Sequence, residues 1–570
     1  MSQELITHLL ILLGTFVLQW SYALKMGFVS DDILGIAQFS DRLDIKGHKC
    51  RACKHTWSIQ VRNDGVCPSC KVASNDDYGD LFDTYEQEVP SNIIQQGGKT
   101  PEVKTESKPG AVKKRYRNTQ FNPHIGFPGS VIRFVRLQLG KKFVSIGKNE
   151  KGHEVFGYKQ IPFRHHLINL VIQLSNSYLA YFMISKLFGS DIALIATLLF
   201  IVHPISCQAV AWCSGIGYLM CLFWSLITFN LVLYTTNLYM QICLVATFVS
   251  IASMHLFSGA FAWVILLFLH KWILSGVAFL IFLVSFKKIG MGIVKNRSNE
   301  FEKQNMGKST KINFRKPIVM VKTIFYYICM TIFPRSLGLF HVFGYHFEDG
   351  VERTDRRFWG GLVALALLAY LFYVSPEPVR FGLLWWFVYV AIFSNFITAM
   401  QFLADRYVFI STLGYSIIMA YFLKDYPVLF GLVLGAYMVR TWLHIPTYKD
   451  EIAFYRSNVF NFPKSEVALG NLGVTYINNG MAGSAVDSWF QAIKINPLYD
   501  VPHFNLYSVF RGNGMVMQAY EHLKQCLNAK TVHFNKEWSN EKVRCEEFIK
   551  IMRPLDEYAR ELNKKMEDLK

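Results

Sequence analysis

Residues 190–235 read SDIALIATLLFIVHPISCQAVAWCSGIGYLMCLFWSLITFNLVLYT. Two apolar runs, 190–203 and 214–235, flank a short centre that carries His203, Gln208 and Trp212. A helix needs about 20 apolar residues to cross the hydrocarbon layer of a bilayer. The second run has that length; the first is short enough for a re-entrant or interfacial segment. Polar groups at a membrane interface are costly and mark function, although Trp212 alone is also ordinary for the aromatic belt.

The same texture extends in both directions. Leu5–Leu24 is the first candidate span. It lacks a basic lead and a small-residue cleavage site, so it reads as an anchor and not as a removable signal peptide. Further apolar segments lie at 165–187, 190–203, 214–235, 238–256, 258–270, 273–286, 318–334, 358–374, 381–400, 407–423 and 427–442, twelve candidates in all. Of the 570 residues, 52% are hydrophobic and 47 are Phe, gathered in long runs where a soluble chain would have short periodic ones. The fold class expected is an α-helical polytopic membrane protein.

After Thr447 the chain turns polar and repeats. Pro463 recurs as Pro497, Leu472 as Leu506, Gly480 as Gly514 and Ala485 as Ala519, each 34 residues on. That period, with Gly at the inter-helix turn, Ala at the crossing and Pro after the second helix, is the signature of tetratricopeptide (TPR) repeats. Two repeats bury little core alone, so residues 449–462 or the tail 536–570 are expected to cap a short α-solenoid spanning 446–570.

Residues 33–160 form a long insert after the first helix. CRACKHTWSIQVRNDGVCPSCK places Cys50, Cys53, Cys67 and Cys70 as two C-x-x-C pairs. Two such knuckles supply four thiolates for tetrahedral Zn²⁺, with no position left open for water, which predicts a structural zinc ribbon over about 46–73. Disulfides or free thiols are the competing reading. An acidic stretch, Asp76 to Glu88, and a basic one at Lys113, Lys114, Arg115 and Arg117 read as linker. The net charge is +18, but in a membrane chain lipid headgroups are the nearer anions, and no nucleic-acid partner is expected.

Two acidic sites remain. Asp31 and Asp32, just beyond the first helix, are by spacing alone either helix-capping groups with Ser30 as N-cap or a functional pair. Asp405 and Arg406 stand between apolar runs, as flanking charges or with Arg406 as a two-pronged phosphate ligand.

In this order the clusters resemble one family. GFVSDDILGI (27–36), PFRHHLINLVIQ (162–173), LLFIVHPISCQAVAWCSG (198–215), LLWWFVYVAIFSNFITAMQFLADRYVFISTLGYS (383–416) and VRTWLHIPTYKDEIAFYRSNVFNFP (439–463), followed by a terminal TPR, are similar to the GT-C glycosyltransferases of the transmembrane-and-TPR type, the animal O-mannosyltransferases that act on cadherins. The chain departs from that family at Gln208, where an acidic residue is usual, near Ile216 and Tyr218, at Met254–Gly259, and in having the zinc insert.

The resemblance implies a GT-C fold with about 11 spans: the first helix and acidic motif over 1–32, and the membrane core over 161–445. It implies inverting transfer of a sugar from a polyprenyl-phosphate donor to a hydroxyl of protein Ser/Thr or glycan. Asp31 is then the general base, Asp32 shares that role or orients the acceptor, and Arg406 neutralises the leaving phosphate. His166, His203, Trp212, Asp405 and Tyr407 line the substrate pocket, and the TPR groove presents the acceptor. The active site and TPR lie outside the cytoplasm, in a bacterial inner membrane or the ER membrane. An odd number of spans is needed for that, and 318–334 is the segment expected not to cross; the basic 287–322 loop then runs against the positive-inside tendency. The competing class is a non-catalytic membrane scaffold that recruits partners through its TPR and zinc ribbon. A transporter would carry ionisable residues at helix midpoints, and few are present.

Overall fold

The structure is a computed structural model and describes residues 3–29, 46–50, 56–58, 82–86, 135–148, 154–255, 262–285, 317–342, 354–391, 393–394 and 403–528, with 553 and 557. Asp31, Asp32, Cys53, Cys67, Cys70 and nearly all of the tail 536–570 lie outside these residues, as does the side chain of Cys50.

The helices in chain order are α1 (Gln3–Trp20), α2 (Pro162–Phe188), α3 (Ser190–Val202), α4 (Ser206–Val210), α5 (Ile216–Tyr234), α6 (Leu238–His255), α7 (Ala262–Phe268), α8 (Trp272–Ser285), α9 (Pro317–Ile332), α10 (Arg356–Val374), α11 (Glu377–Ala391), α12 (Ser411–Leu423), α13 (Pro427–His444), α14 (Glu451–Asn461), α15 (Glu466–Asn478), α16 (Ala482–Ile495), α17 (Asp500–Gly512) and α18 (Val516–Asn528). Strands occur only in the insert among the described residues. β1 (Lys46–Cys50) pairs antiparallel with β2 (Thr56–Ser58) and β3 (Phe82–Glu86), and β4 (Lys141–Lys148) pairs with β5 (Glu154–Gln160). The chain divides into two compact units. One holds Met1–Ser285 with Ser416–Glu451, the other Phe286–Tyr415 with Ile452–Lys570.

Five described helical stretches are long and apolar enough to cross a membrane: Gln3–Lys25, Pro162–Phe188, Cys213–Tyr234, Arg356–Val374 and Pro427–Tyr448. Their surfaces agree with a hydrocarbon environment. Helix α10 leaves Trp359, Val363, Leu367, Tyr370 and Tyr373 exposed, and α13 leaves Val428, Leu432, Val439 and Leu443 exposed. Apolar rows of this extent are unfavourable against water and natural against lipid tails. The described chain is thus α-helical, with several helices suited to an integral membrane protein.

In the first unit, α2 is the central helix and packs on α1, α3 and α5. Its buried face is polar: His166, Asn169, Gln173 and Asn176 recur every three or four residues, with Ser177 one turn beyond Gln173, and so share one side of the helix. Asn176 Nδ2 donates to Leu219 O of α5 (3.0 Å), and Asn230 Nδ2 of α5 donates to Leu179 O of α2 (2.9 Å). Inter-helix hydrogen bonds of this type are the usual reason a polar stripe survives inside an apolar bundle. Helix α3 stops at His203–Pro204, leaving terminal carbonyls to satisfy. Trp20 Nε1 donates to Ile201 O (3.0 Å), and Thr441 Oγ1 of α13 donates to Val202 O (2.7 Å).

In the second unit, α9, α10 and α11 pack together. Asp355 caps α10 by accepting the Arg357 and Phe358 amides, and it also receives Lys322 Nζ of α9 at 3.4 Å. Trp386 Nε1 of α11 donates to Thr331 Oγ1 of α9 (3.1 Å).

Helices α15–α16 and α17–α18 form two hairpins in register with the sequence repeat: Glu466 and Asp500 open the first helices, Ala482 and Val516 the second, each pair 34 residues apart. Gly480 and Gly514 both adopt φ +75°, the left-handed conformation that ends a helix and that glycine enters without steric cost. Trp489 is buried and donates from Nε1 to Gly470 O (3.1 Å), locking α16 onto α15.

Candidate functional site

The segment Gly27–Val29 leads directly into Ser30, Asp31 and Asp32, and it is held residue by residue. The Gly27 amide donates to Lys449 O (3.1 Å), and a Cβ at Gly27 would stand 2.6 Å from that oxygen, so only glycine lets the two backbones meet. The Gly27 carbonyl accepts from His166 Nε2 (3.3 Å). Phe28 meets His165 edge to face, with centroids 5.6 Å apart, and packs on Leu137 and Cys213. The Val29 carbonyl accepts from Trp212 Nε1 (3.2 Å).

His165 and His166 stand on α2, and α2 also holds the Trp212 backbone through Asn169. His166 lies on its buried face, and one turn further Asn169 Nδ2 donates to the carbonyls of Val210 (3.2 Å) and Trp212 (3.1 Å). The backbone there is irregular, between α4 and the turn Cys213–Gly215. Irregular backbone inside an apolar bundle persists where side chains satisfy its carbonyls, and Asn169 does so. Cys213 Sγ lies against the same ring, 3.5 Å from Nε2 and 3.6 Å from Nδ1. His165 is also engaged on both nitrogens. Arg136 Nε donates to Nδ1 (3.0 Å), so Nε2 carries the proton and donates to Gln160 Oε1 (2.8 Å).

Of the residues expected in a pocket, the structure therefore brings His166 and Trp212 to one segment. His203 is buried elsewhere in the same unit. Its ring packs edge to face on Tyr437 of α13 at 4.8 Å, and its Nδ1 accepts from the Ile205 amide (3.4 Å).

Asp405, Arg406 and Tyr407 form a buried helical turn in the second unit. Asp405 Oδ1 accepts from His341 Nε2 (2.6 Å) and Oδ2 from the Gly338 amide (2.7 Å). Tyr407 stacks on Phe393, with centroids 4.5 Å apart and rings within 2° of parallel. The Arg406 guanidinium carbon lies over the Tyr407 ring, 4.9 Å from its centroid.

The residues that sequence reasoning missed are Arg136, His165, Asn169 and His341. Asn169 had a signal: with His166, Gln173 and Asn176 it makes a polar row at helical spacing in an otherwise apolar segment. His341 had none, lying in a non-helical stretch 64 residues before its partner.

Among the described residues no group of three or more His, Cys, Asp or Glu side chains is arranged to hold a metal. The sequence matches no family model, no curated protein and no solved structure.

Proposed function

We propose that this chain is a membrane-embedded glycosyltransferase of GT-C type. It moves a sugar from a polyprenyl-phosphate donor to an acceptor hydroxyl on the extracytoplasmic face, with inversion at the anomeric carbon. Asp31 takes the hydroxyl proton as that oxygen attacks, and Asp32 orients the acceptor or shares the base role. The leaving group is a phosphate, already a weak base, so a cation serves better than an acid, and Arg406 is assigned to it. The helices after Glu451 are read as a TPR solenoid that presents the acceptor, and about 11 spans are assigned to the membrane part.

The observation that carries this reading is the grip on Gly27–Val29. A general base acts from a defined position, and a loop base needs a fixed stem. Five separate contacts hold the three residues before Ser30, through His166, Lys449, His165, the Leu137–Cys213 cluster and Trp212. A pair of plain helix-capping carboxylates would not need such a stem.

The insert is read as a zinc ribbon. The sequence spacing of the two C-x-x-C pairs is that of two zinc knuckles, each presenting two thiolates. Cys50, Cys53, Cys67 and Cys70 would hold the ion, which would stabilise the insert and take no part in transfer.

The test is transfer of label from radiolabelled polyprenyl-phosphate sugars to a membrane-protein extract by the detergent-purified chain. Wild type is expected to transfer label, and Asp31→Asn to lose it by roughly 10²–10⁴-fold, the range of general-base catalysis. A folded wild-type chain that transfers nothing from any donor would leave the scaffold function in place of this one.

A further inference from the structure

We propose that His341 is a positioning residue for the donor-phosphate turn: by holding Asp405 it fixes the backbone turn that carries Arg406, the residue assigned to a lipid-linked phosphate. This rests on the reading of Arg406 as the phosphate ligand.

Asp405 is almost completely buried and sits next to Arg406 in the chain. A buried carboxylate requires donors. The structure supplies two. His341 Nε2 reaches Oδ1 at 2.6 Å and the Gly338 amide reaches Oδ2 at 2.7 Å.

The imidazole is itself oriented. Nε2 also faces the Gly338 carbonyl at 3.0 Å, and a carbonyl only accepts, so Nε2 carries a proton. The Tyr326 hydroxyl is hydrogen-bonded to Nδ1 at 2.8 Å, which holds the ring from the far side. The ring also packs on Phe462, with centroids 4.2 Å apart.

The stretch that carries His341 is fixed in turn by α14. Asn458 Oδ1 accepts from the amides of Leu339 (2.7 Å) and Phe340 (3.3 Å), and Asn461 Nδ2 donates to Leu337 O (2.9 Å). Both chain neighbours of Arg406 are thereby immobilised: Asp405 by hydrogen bonds and Tyr407 by stacking on Phe393. A guanidinium mounted in this way needs little reorganisation to meet an anion.

The experiment measures binding of citronellyl phosphate, a short polyprenyl monophosphate, to the purified full-length chain, together with the donor and acceptor KM of transfer. His341→Leu is expected to weaken citronellyl phosphate binding roughly tenfold, the lower end of the effect of removing the hydrogen-bond partner that orients a metal ligand. Donor KM should rise by a similar factor while acceptor KM stays unchanged. His341→Gln, whose amide can still donate to Asp405, should restore most of the binding. Tyr326→Phe, which keeps the ring and removes only the hydroxyl, should give an intermediate loss and covers the case in which His341→Leu does not fold.

Folded His341→Leu and Tyr326→Phe chains that bind citronellyl phosphate like wild type would overturn the proposal. So would equal loss in His341→Leu and His341→Gln. Failure of the underlying reading looks different. Wild type would then show no citronellyl phosphate binding that depends on Arg406, or would bind the phosphate and transfer no sugar.

Discussion

The indole nitrogen of Trp212 donates to the carbonyl of Val29 across 183 positions of sequence. That single bond joins the His-Pro stretch of the chain to the stem of the acidic motif. Asn169 holds the Trp212 backbone from α2, so the donor end of the bond is braced.

Trp212→Phe tests whether this brace positions the acidic pair. The variant keeps the ring packing and leaves the Val29 carbonyl without its indole donor. Losing a buried hydrogen bond costs about 0.5–1.5 kcal/mol. If that loss is relieved by movement of the stem, transfer should fall by up to roughly tenfold, with little change in thermal stability. Full transfer by the variant would mean that the stem is held well enough by His166 and Lys449.

Zinc content is a direct check on the ribbon. The purified chain should carry about one zinc ion per molecule by elemental analysis. Cys50→Ser combined with Cys67→Ser should remove it. Because the ion is assigned to structure, the depleted protein should keep its transfer activity if the membrane core remains folded. Zinc-free wild type would restore the disulfide or free-thiol reading of the four cysteines.

Trp489 is the main buried side chain between α15 and α16. Trp489→Ala should cost about 3–5 kcal/mol, as for other large aromatic truncations. Two hairpins with a shared small core have little to spare. Amide exchange over Glu466–Asn528 should accelerate strongly, while exchange in Pro162–Phe188 should be unchanged. Protection retained across both hairpins would show that the repeat core does not depend on this indole.

The second hairpin should respond to acid. His503 Nε2 donates to Pro497 O (3.1 Å), so its Nδ1 accepts, and His522 Nδ1 donates to it at 3.1 Å. Burial, then the neighbouring His503, hold His522 at about 4, below its ordinary 6.5. Burial also lowers His503, against opposing effects of the Pro497 carbonyl, Asp500 and Glu521. A lowered histidine binds more protons unfolded than folded, so stability rises with pH between the folded and unfolded values. The hairpin should therefore lose protection as pH falls from about 6.5 towards 4 and should be insensitive above that window. Amide exchange of α17 and α18 at two pH values measures this, and His522→Gln should flatten the response.

Several features were legible in the residues alone. The run 214–235 became the Cys213–Tyr234 stretch, and 427–442 became α13, because apolar content over one span length decides both helix formation and partition into lipid. The 34-residue offset of Gly480 and Gly514 reappears as two matching left-handed turns, since glycine there is required by local backbone geometry. The site was legible only in part. Trp212 stood out as an aromatic residue at an interface position and His166 came with the family resemblance, but nothing in their spacing named Val29 and Gly27 as their partners. Asp405 was visible as a charge between apolar runs, while His341, which satisfies it, was not.

By itself the sequence determined which segments are apolar helices, where the polar repeats begin and which side chains share a helix face. Those properties follow from residues within a few turns of one another. The tertiary structure decided that Trp212 and His166 meet the stem before Asp31, that Asn169 braces them, and that Asp405 turns to His341 and Gly338. These bonds join positions tens to nearly two hundred residues apart, and they form because packed helices leave particular buried carbonyls and carboxylates that a donor must satisfy.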